Sequence, residues 1–523
     1  MKNPDSDNLI AKNLTESRLK TPADLDSFKK KIAKRYKIPV LSNAKLLKLY
    51  HDFEKNKSRK NAENLENLLR KRKIRSLSGI AVVSVLTKPY PCPGKCLYCP
   101  SQKGMPKSYL SNEPAVMRAI LNKFDPYKQT QSRLKALNIT GHPTDKIELI
   151  VIGGTWSYLP EKYQEQFIRR CFEAANGKSS ANLENAQKIN EKAKRRIVGI
   201  TIETRPDFID EKEILRLREL GVTRVELGVQ NIYDDILKLN KRGHHAKAIV
   251  KATQLLKDAG FKICYHIMPN LPGSDLKRDK KMFEEIFKNP DFQPDLLKIY
   301  PCAILKEAEI YKLWKAEKYK PYTDKQLIDL LKNAKKKIPY YCRIQRLVRD
   351  IPAGSIVEGP AKISNLRQVI AKEAKKENWH CHCIRCREVR ENYNPKEKLY
   401  LFRQDYDASN GKEVFLSYEN KNRERIYSLL RLRIPSGDQF FPVLKNTAII
   451  REIHTYGQMH PLRKGAISPQ HKGLGKKLIK EAEKISKQDF GLKKIAVISG
   501  AGVRNYYRKL GYKLKDTYLI KDI

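Results

Sequence analysis

From Ser78 to about Tyr300, short apolar runs alternate with longer amphipathic stretches, and few folds accommodate that alternation. The strand candidates are GIAVVSVL (79–86), IELIVIGG (147–154), IVGITIE (197–203), VTRVELGV (222–229), FKICYHIM (261–268) and LLKIY (296–300). Helical patterns such as PEKYQEQFIRRCFEAA and AKAIVKATQLLKDAG separate them. Repeated βα units with buried strands require a parallel sheet, open or closed into a barrel. In such sheets ligand chemistry gathers at the C-terminal strand ends.

The sharpest motif lies at the end of the first strand. PYPCPGKCLYCP spaces Cys92, Cys96 and Cys99 by three and then two residues, with Tyr98 before the last thiol. Three thiolates on one loop can hold three irons of a four-iron cluster and leave the fourth iron open. The alternative is a zinc knuckle short of one ligand, but the spacing, the aromatic and the βα context agree on the cluster. The motif resembles the radical-SAM superfamily, which implies that S-adenosylmethionine binds the open iron. Later strand ends then acquire expected roles. Gly153, Gly154 and Thr155 let backbone approach the methionine amine, and Glu203 and Arg205 offer partners for ribose hydroxyls and carboxylate. Gln230 and His266 sit on later strands in the same way.

Beyond residue 340 the character changes. Residues 341–397 read as a metal-stapled connector around Cys381, Cys383 and Cys386, with zinc the expected ion. His380, His382 and Cys342 are the alternatives for a fourth ligand. Cys171, Cys264 and Cys302 lie on apolar patterns and read as core. Residues 398–523 are strand-rich, with QHKGLGK preceding a helical run and RNYYRKLGY near the C-terminus. Glycines entering a helix expose N–H groups to a pyrophosphate. This half resembles the GNAT acetyltransferase family.

Together the two signals, in this order, resemble the Elongator catalytic-subunit family in a stand-alone form. The fold expected is a radical-SAM partial (β/α) barrel, a metal-stapled connector and a GNAT-type α/β domain, with domains at 1–77, 78–340, 341–397 and 398–523. The resemblance implies an enzyme that uses acetyl-CoA and S-adenosylmethionine to make 5-carboxymethyluridine at the tRNA wobble position. It carries acetyl-CoA contacts over to Lys146, to Glu452, Ile453, His454 and Thr455, and to Gly473, Leu474, Gly475 and Lys476. Tyr507, with Tyr506 beside it, is the expected hydrogen-bond donor to the departing sulfur.

Charge supports a nucleic-acid partner. Lys+Arg number 106 against 58 Asp+Glu, a formal +48, and such a field attracts polyanions. Residues 18–77 hold 19 Lys/Arg and 6 Asp/Glu, a net +13, with Phe28, Tyr36, Tyr50 and Phe53 interleaved. A basic helical arm that grips the tRNA backbone is expected there, with the anticodon stem-loop the expected partner of the protein. The bland alternative is a Lys-rich solvated surface. No apolar run reaches the roughly 18 residues needed to span a bilayer. Clustered thiols point to a reducing, cytoplasmic compartment, and a homodimer is left open.

Overall fold

The computed structural model describes residues 4–17, 19–54, 62–70, 79–390, 394, 396–437, 439–457 and 473–523. Most of the basic run at 70–75 therefore lies outside the described residues, as do Ser78 and Gln470, His471 and Lys472 ahead of the glycine turn.

Seven parallel strands stand side by side in chain order: β1 (Ala81–Leu86), β2 (Lys146–Ile152), β3 (Arg196–Thr204), β4 (Arg224–Gln230), β5 (Lys262–Ile267), β6 (Leu296–Ile299) and β7 (Arg343–Arg346). β1 and β7 do not pair, so the sheet curls into a half-barrel without closing. Outward side chains pack on crossover helices such as Leu276–Lys288. Asp275 caps that helix through the Arg278 N–H at 2.7 Å, and Met282, Phe283, Ile286 and Phe287 form its buried stripe. All six expected strands are present. The seventh, Arg-Ile-Gln-Arg, extends the sheet past residue 340, where the sequence suggested a connector. Its polar residues hid it, because they line the barrel interior.

The second sheet has the order β13-β14-β12-β11-β10-β9-β8. Its strands are β8 (Tyr400–Ala408), β9 (Gly411–Glu419), β10 (Ile426–Ile434), β11 (Thr447–Thr455), β12 (Lys494–Val497), β13 (Lys513–Lys515) and β14 (Tyr518–Asp522). β11 and β12 run parallel, and their ladder ends at Ile450–Val497 while β11 continues to Thr455. The strands thus part where a ligand could enter. Leu478, Ile479, Ala482 and Ile485 of helix Leu474–Gln488 seal one face of this sheet against Val414, Leu416, Leu430 and Leu432.

The opposite face of the second sheet lies on the barrel through buried ions. Arg451 donates to Asp295 at 3.0 and 2.5 Å and to Glu413 at 2.8 Å. Arg433 contacts Asp258 at 2.6 Å. Arg387 of the connector meets Glu419 at 2.6 Å and donates to the Tyr340 carbonyl at 2.7 Å, tying both sheets together.

Four N-terminal helices (Pro4–Glu16, Pro22–Tyr36, Asn43–Glu54, Ala62–Leu69) share a small core of Ile10, Leu14, Leu25, Ile32, Leu46, Leu47 and Tyr50. Phe28, Tyr36 and Phe53 pack against it. The interleaved aromatics are therefore structural, while Lys30, Lys31, Lys34 and Arg35 stay exposed. Arg70 anchors the group to the barrel by donating to the Gly141 carbonyl at 2.6 Å.

Candidate active site

A cavity of about 1230 Å³ occupies the barrel interior and runs from the cysteine loop to β11 of the second sheet. It exceeds the ~300–1,000 Å³ of an ordinary small-ligand pocket, so more than one reactant fits. Cys92, Cys96, Cys99, Gly154, Thr155, Glu203, Arg205, Gln230 and His266 all line it, together with Glu452, His454 and Tyr456.

The loop at 92–99 is held from several sides. Leu97 donates its N–H to Asn240 and accepts one from Ile310, and Thr155 Oγ1 stands 3.7 Å from Cys92 Sγ. Burial, and then neighbouring Cys96, push the Cys99 thiol up to about 11. Around the loop, Arg205 Nη1 and Gln230 Oε1 are buried without a partner, as polar groups awaiting a ligand would be. Three thiols on one loop that lines the cavity, beside the unpartnered Arg205 Nη1 and Gln230 Oε1, fit the cluster.

Backbone at the strand ends is specialised. A side chain on Gly153, at φ +130°, would collide with Thr87 Oγ1. Gln230 adopts φ +67°, a left-handed conformation that ends β4 and sets its side chain at the cavity. Arg205 is bound bidentate by Asp207 at 2.9 and 2.7 Å. Its guanidinium lies beside Gly94, where a Cβ would approach Nη1 to 2.6 Å.

Deeper in the cavity stands a charged group that sequence reasoning missed, apart from His266 and Glu203. Glu226 receives His266 Nε2–H at 2.8 Å, Lys298 in a tight ion pair, and Arg224 at 3.3 Å. Burial alone would raise the Glu226 pKa; Lys298, the His266 hydrogen bond and Arg224 outweigh it and hold the carboxyl well below its usual range. Glu203 accepts from Tyr109 at 2.8 Å and lies 3.4 Å from Lys298. The missed signal was alternation. In RVELGVQ, Arg224, Glu226 and Gly228 line the cavity while Val225, Leu227 and Val229 join the core. A parallel strand covered on both faces would read as continuously apolar.

The far wall is β11, and it sorts the expected acetyl-CoA residues onto two faces. Arg431 pairs with Glu452 while Leu432 pairs with Ile450, so Arg451 is the extra residue of a bulge. Arg451 and Glu452 therefore both face the barrel; Glu452 meets Arg431 at 2.8 Å and Lys262 at 3.2 Å. Ile453 and Thr455 face the other way, 3.6 and 3.7 Å from a Cβ placed on Gly475, whose nearest neighbour is Tyr506 Oη at 3.3 Å. Gly473, at φ +66°, precedes Leu474, Gly475 and Lys476 in the first turn of the helix. Tyr507 is 5% exposed and packed in the apolar core with Tyr512. Lys146 opens β2 at the N-terminal edge of the barrel, in register with Arg196, on which Gly502 rests. Burial, then Arg196, lower its pKa.

A second thiol group stands at the cavity margin. Cys381, Cys383 and Cys386 bring their sulfurs within 4.8 Å of one another. Among the described residues neither His380, His382 nor Cys342 joins them at that distance. His382 stacks on Tyr340 at 4.3 Å, and Lys335 Nζ lies 3.1 Å from Cys381 and 3.4 Å from Cys386.

A half-barrel with three cysteines on the loop after its first strand defines the radical-SAM class. The Radical SAM superfamily profile matches residues 90–286, and the Radical_SAM C-terminal domain matches 294–376. The chain belongs to the family of tRNA uridine(34) acetyltransferases and Elongator complex protein 3. It is 49% identical over 467 residues to the tRNA uridine(34) acetyltransferase of Methanocaldococcus jannaschii, covering 87% of this chain and 86% of that one. It is 42% identical over 472 residues to Elongator complex protein 3 of Drosophila melanogaster, covering 87% and 85%. The solved archaeal Elp3 of Methanocaldococcus infernus, lacking its N-terminal residues 1–46, superposes with a TM-score of 0.76 at 46% identity, covering 86% of this chain and all of that one. Membership implies a four-iron cluster and S-adenosylmethionine. Among the described residues no helix is long and apolar enough to cross a membrane.

Proposed function

We propose that this chain modifies uridine 34 of tRNA, converting it to 5-carboxymethyluridine with acetyl-CoA and S-adenosylmethionine as co-substrates. The observation that carries this reading is the cavity that runs from the cysteine loop to Glu452 and His454 of β11, the strand whose opposite face carries Ile453 and Thr455. A four-iron cluster on Cys92, Cys96 and Cys99 would supply the electron that splits S-adenosylmethionine. Gly153 and Gly154 bring backbone close to the methionine end, and Glu203 and Gln230 flank the nucleoside end. Glu226 holds His266 and Lys298 in place between the two co-substrates, where they can move a proton and neutralise a developing oxyanion. Gly473, Leu474, Gly475 and Lys476 receive the pyrophosphate of acetyl-CoA at a helix N-terminus, and Ile453 and Thr455 line the pantetheine path. Tyr506, rather than buried Tyr507, presents its hydroxyl to the leaving sulfur. Lys146 contributes a further contact at the seam between modules. Zinc on Cys381, Cys383 and Cys386 staples the connector. The basic N-terminal arm (1–77) grips the tRNA backbone, and a reducing cytoplasm is the working compartment.

Two variants test the reading by mass spectrometry of nucleosides from tRNA incubated with both co-substrates. Cys96→Ser abolishes the product while tRNA affinity stays within about twofold, since the phosphate contacts lie on basic side chains elsewhere. Gly475→Asp places a carboxylate where the pyrophosphate belongs and weakens acetyl-CoA binding by at least about tenfold, leaving S-adenosylmethionine cleavage intact. Carboxymethyluridine formed by iron-free protein would overturn the assignment.

A further inference from the structure

One buried guanidinium touches the cysteine loop and has no part in the chemistry assigned so far. Arg242 follows helix Asp234–Leu239 and is 6% exposed. Its Nη1 donates to Cys96 Sγ at 3.6 Å, and its Nη2 donates to the Gly228 carbonyl on β4. Two features hold it there. Lys241 takes φ +52°, turning the chain so that the Arg242 N–H reaches the Leu237 carbonyl at 2.9 Å. Gly228 leaves room for the side chain, since a Cβ at that position would lie 2.7 Å from Arg242 Nη2. The same turn accepts the Leu97 N–H through the Asn240 carbonyl at 3.3 Å, which ties turn and loop together.

Cys92 and Cys96 are therefore not equivalent. Cys92 faces a neutral hydroxyl, Thr155 Oγ1, at 3.7 Å, whereas Cys96 faces a side chain that is cationic at every working pH. Charge-assisted donors bind more tightly as their acceptor gains negative charge. Adding an electron to a cluster raises the charge on its sulfurs, so an arginine at one thiolate favours the reduced state. Hydrogen bonds to sulfur, net charge and solvent exposure are the levers that set such potentials.

We propose that Arg242 sets the reduction potential of the four-iron cluster by donating to the Cys96 thiolate, with Gly228 keeping the channel for its side chain open. Arg242 acts through Cys96 and is a positioning residue. The proposal rests on loop 92–99 holding the cluster, and the iron content of the unaltered protein tests that point separately.

The experiment is an electron-paramagnetic-resonance redox titration of full-length protein reconstituted with iron and sulfide. Arg242→Gln should lower the midpoint on the order of 59 mV, a tenfold fall in the reduced-to-oxidised ratio at fixed poise. Iron content and thermal unfolding should stay at the unaltered values, and Arg242→Lys should recover most of the shift. A midpoint unchanged in iron-loaded Arg242→Gln overturns the proposal. If that variant takes up no iron, Gly228→Ala decides, because it displaces the guanidinium while keeping its charge. A lowered midpoint in Gly228→Ala at full iron content supports the proposal, and an unchanged one overturns it.

Discussion

Two regions of this molecule bury charge, and they differ in what the charge faces. In the barrel interior Glu148, Arg224, Glu226, Lys262 and Lys298 line an open cavity. In the seam between the sheets Asp295, Arg451, Arg431, Arg433 and Glu413 are at most 2% exposed. In the seam each charge is spent on its neighbours, as with the Asp295 carboxylate shared by Arg451 at 2.5 Å and Arg431 at 3.5 Å. Such a cluster contributes little net stability over an apolar one, but it fits one arrangement of the two modules. In the barrel the same residue types keep a side open to a ligand. Buried charge thus sets the docking in one place and serves chemistry in the other.

The strongest way to break this comparison is at the seam. Asp295→Ala leaves two guanidiniums buried without their shared carboxylate and should cost about 3–5 kcal/mol, read by urea denaturation. A loss under about 1 kcal/mol would mean the seam tolerates unpaired charge. The matching change in the barrel is Glu226→Gln, which keeps an acceptor for His266 and removes the charge opposite Lys298. Uridine modification should fall more than about tenfold, with a stability loss under half that of the seam variant because the amide still hydrogen-bonds its buried neighbours. Equal stability losses would erase the distinction.

His244 sharpens the comparison through pH. Burial, then Arg242, hold its pKa down to about 4, with Asp207 opposing them. The unfolded chain binds the proton near pH 6.5, so between about 6.5 and 4 it carries more protons than the folded one, and stability falls as pH falls. The effect is on the order of 3 kcal/mol at the acid end. His244→Gln should flatten that limb of a stability-versus-pH curve. The smallest effect lies outside both regions. Deleting residues 1–77 should reduce the slope of log affinity against log salt by about 0.7 for each single-stranded phosphate that the arm no longer neutralises. An unchanged slope would make the arm a solvated surface.

Much of the frame was legible in the residues. Strands β1 to β6 announced themselves because their outward faces are apolar and glycine or polar punctuation follows each. The cysteine spacing located the metal loop, and Gly154, Thr155, Glu203, Arg205, Gln230 and His266 were found as strand-end residues lining the same cavity. Arg242 was not legible. It lies 146 residues from Cys96, in a turn whose sequence, NKRGHH, looks like any exposed basic loop.

The chain's own pattern of apolar, glycine and cysteine residues determined the half-barrel, the metal loop and the order of the modules, because those follow from local periodicity and spacing. Which side of β11 each residue serves was decided only in three dimensions. Strict alternation would put Arg451 and Glu452 on opposite faces, but the bulge opposite the Arg431–Leu432 step turns both toward the barrel. Ile453 and Thr455 are thereby left facing Gly475. Tyr506 and Tyr507 are divided in the same way, one reaching Gly475 and the other buried in the core. A bulge depends on the partner strand and on Asp295 waiting across the seam for Arg451, and neither is written in residues 447–455 themselves.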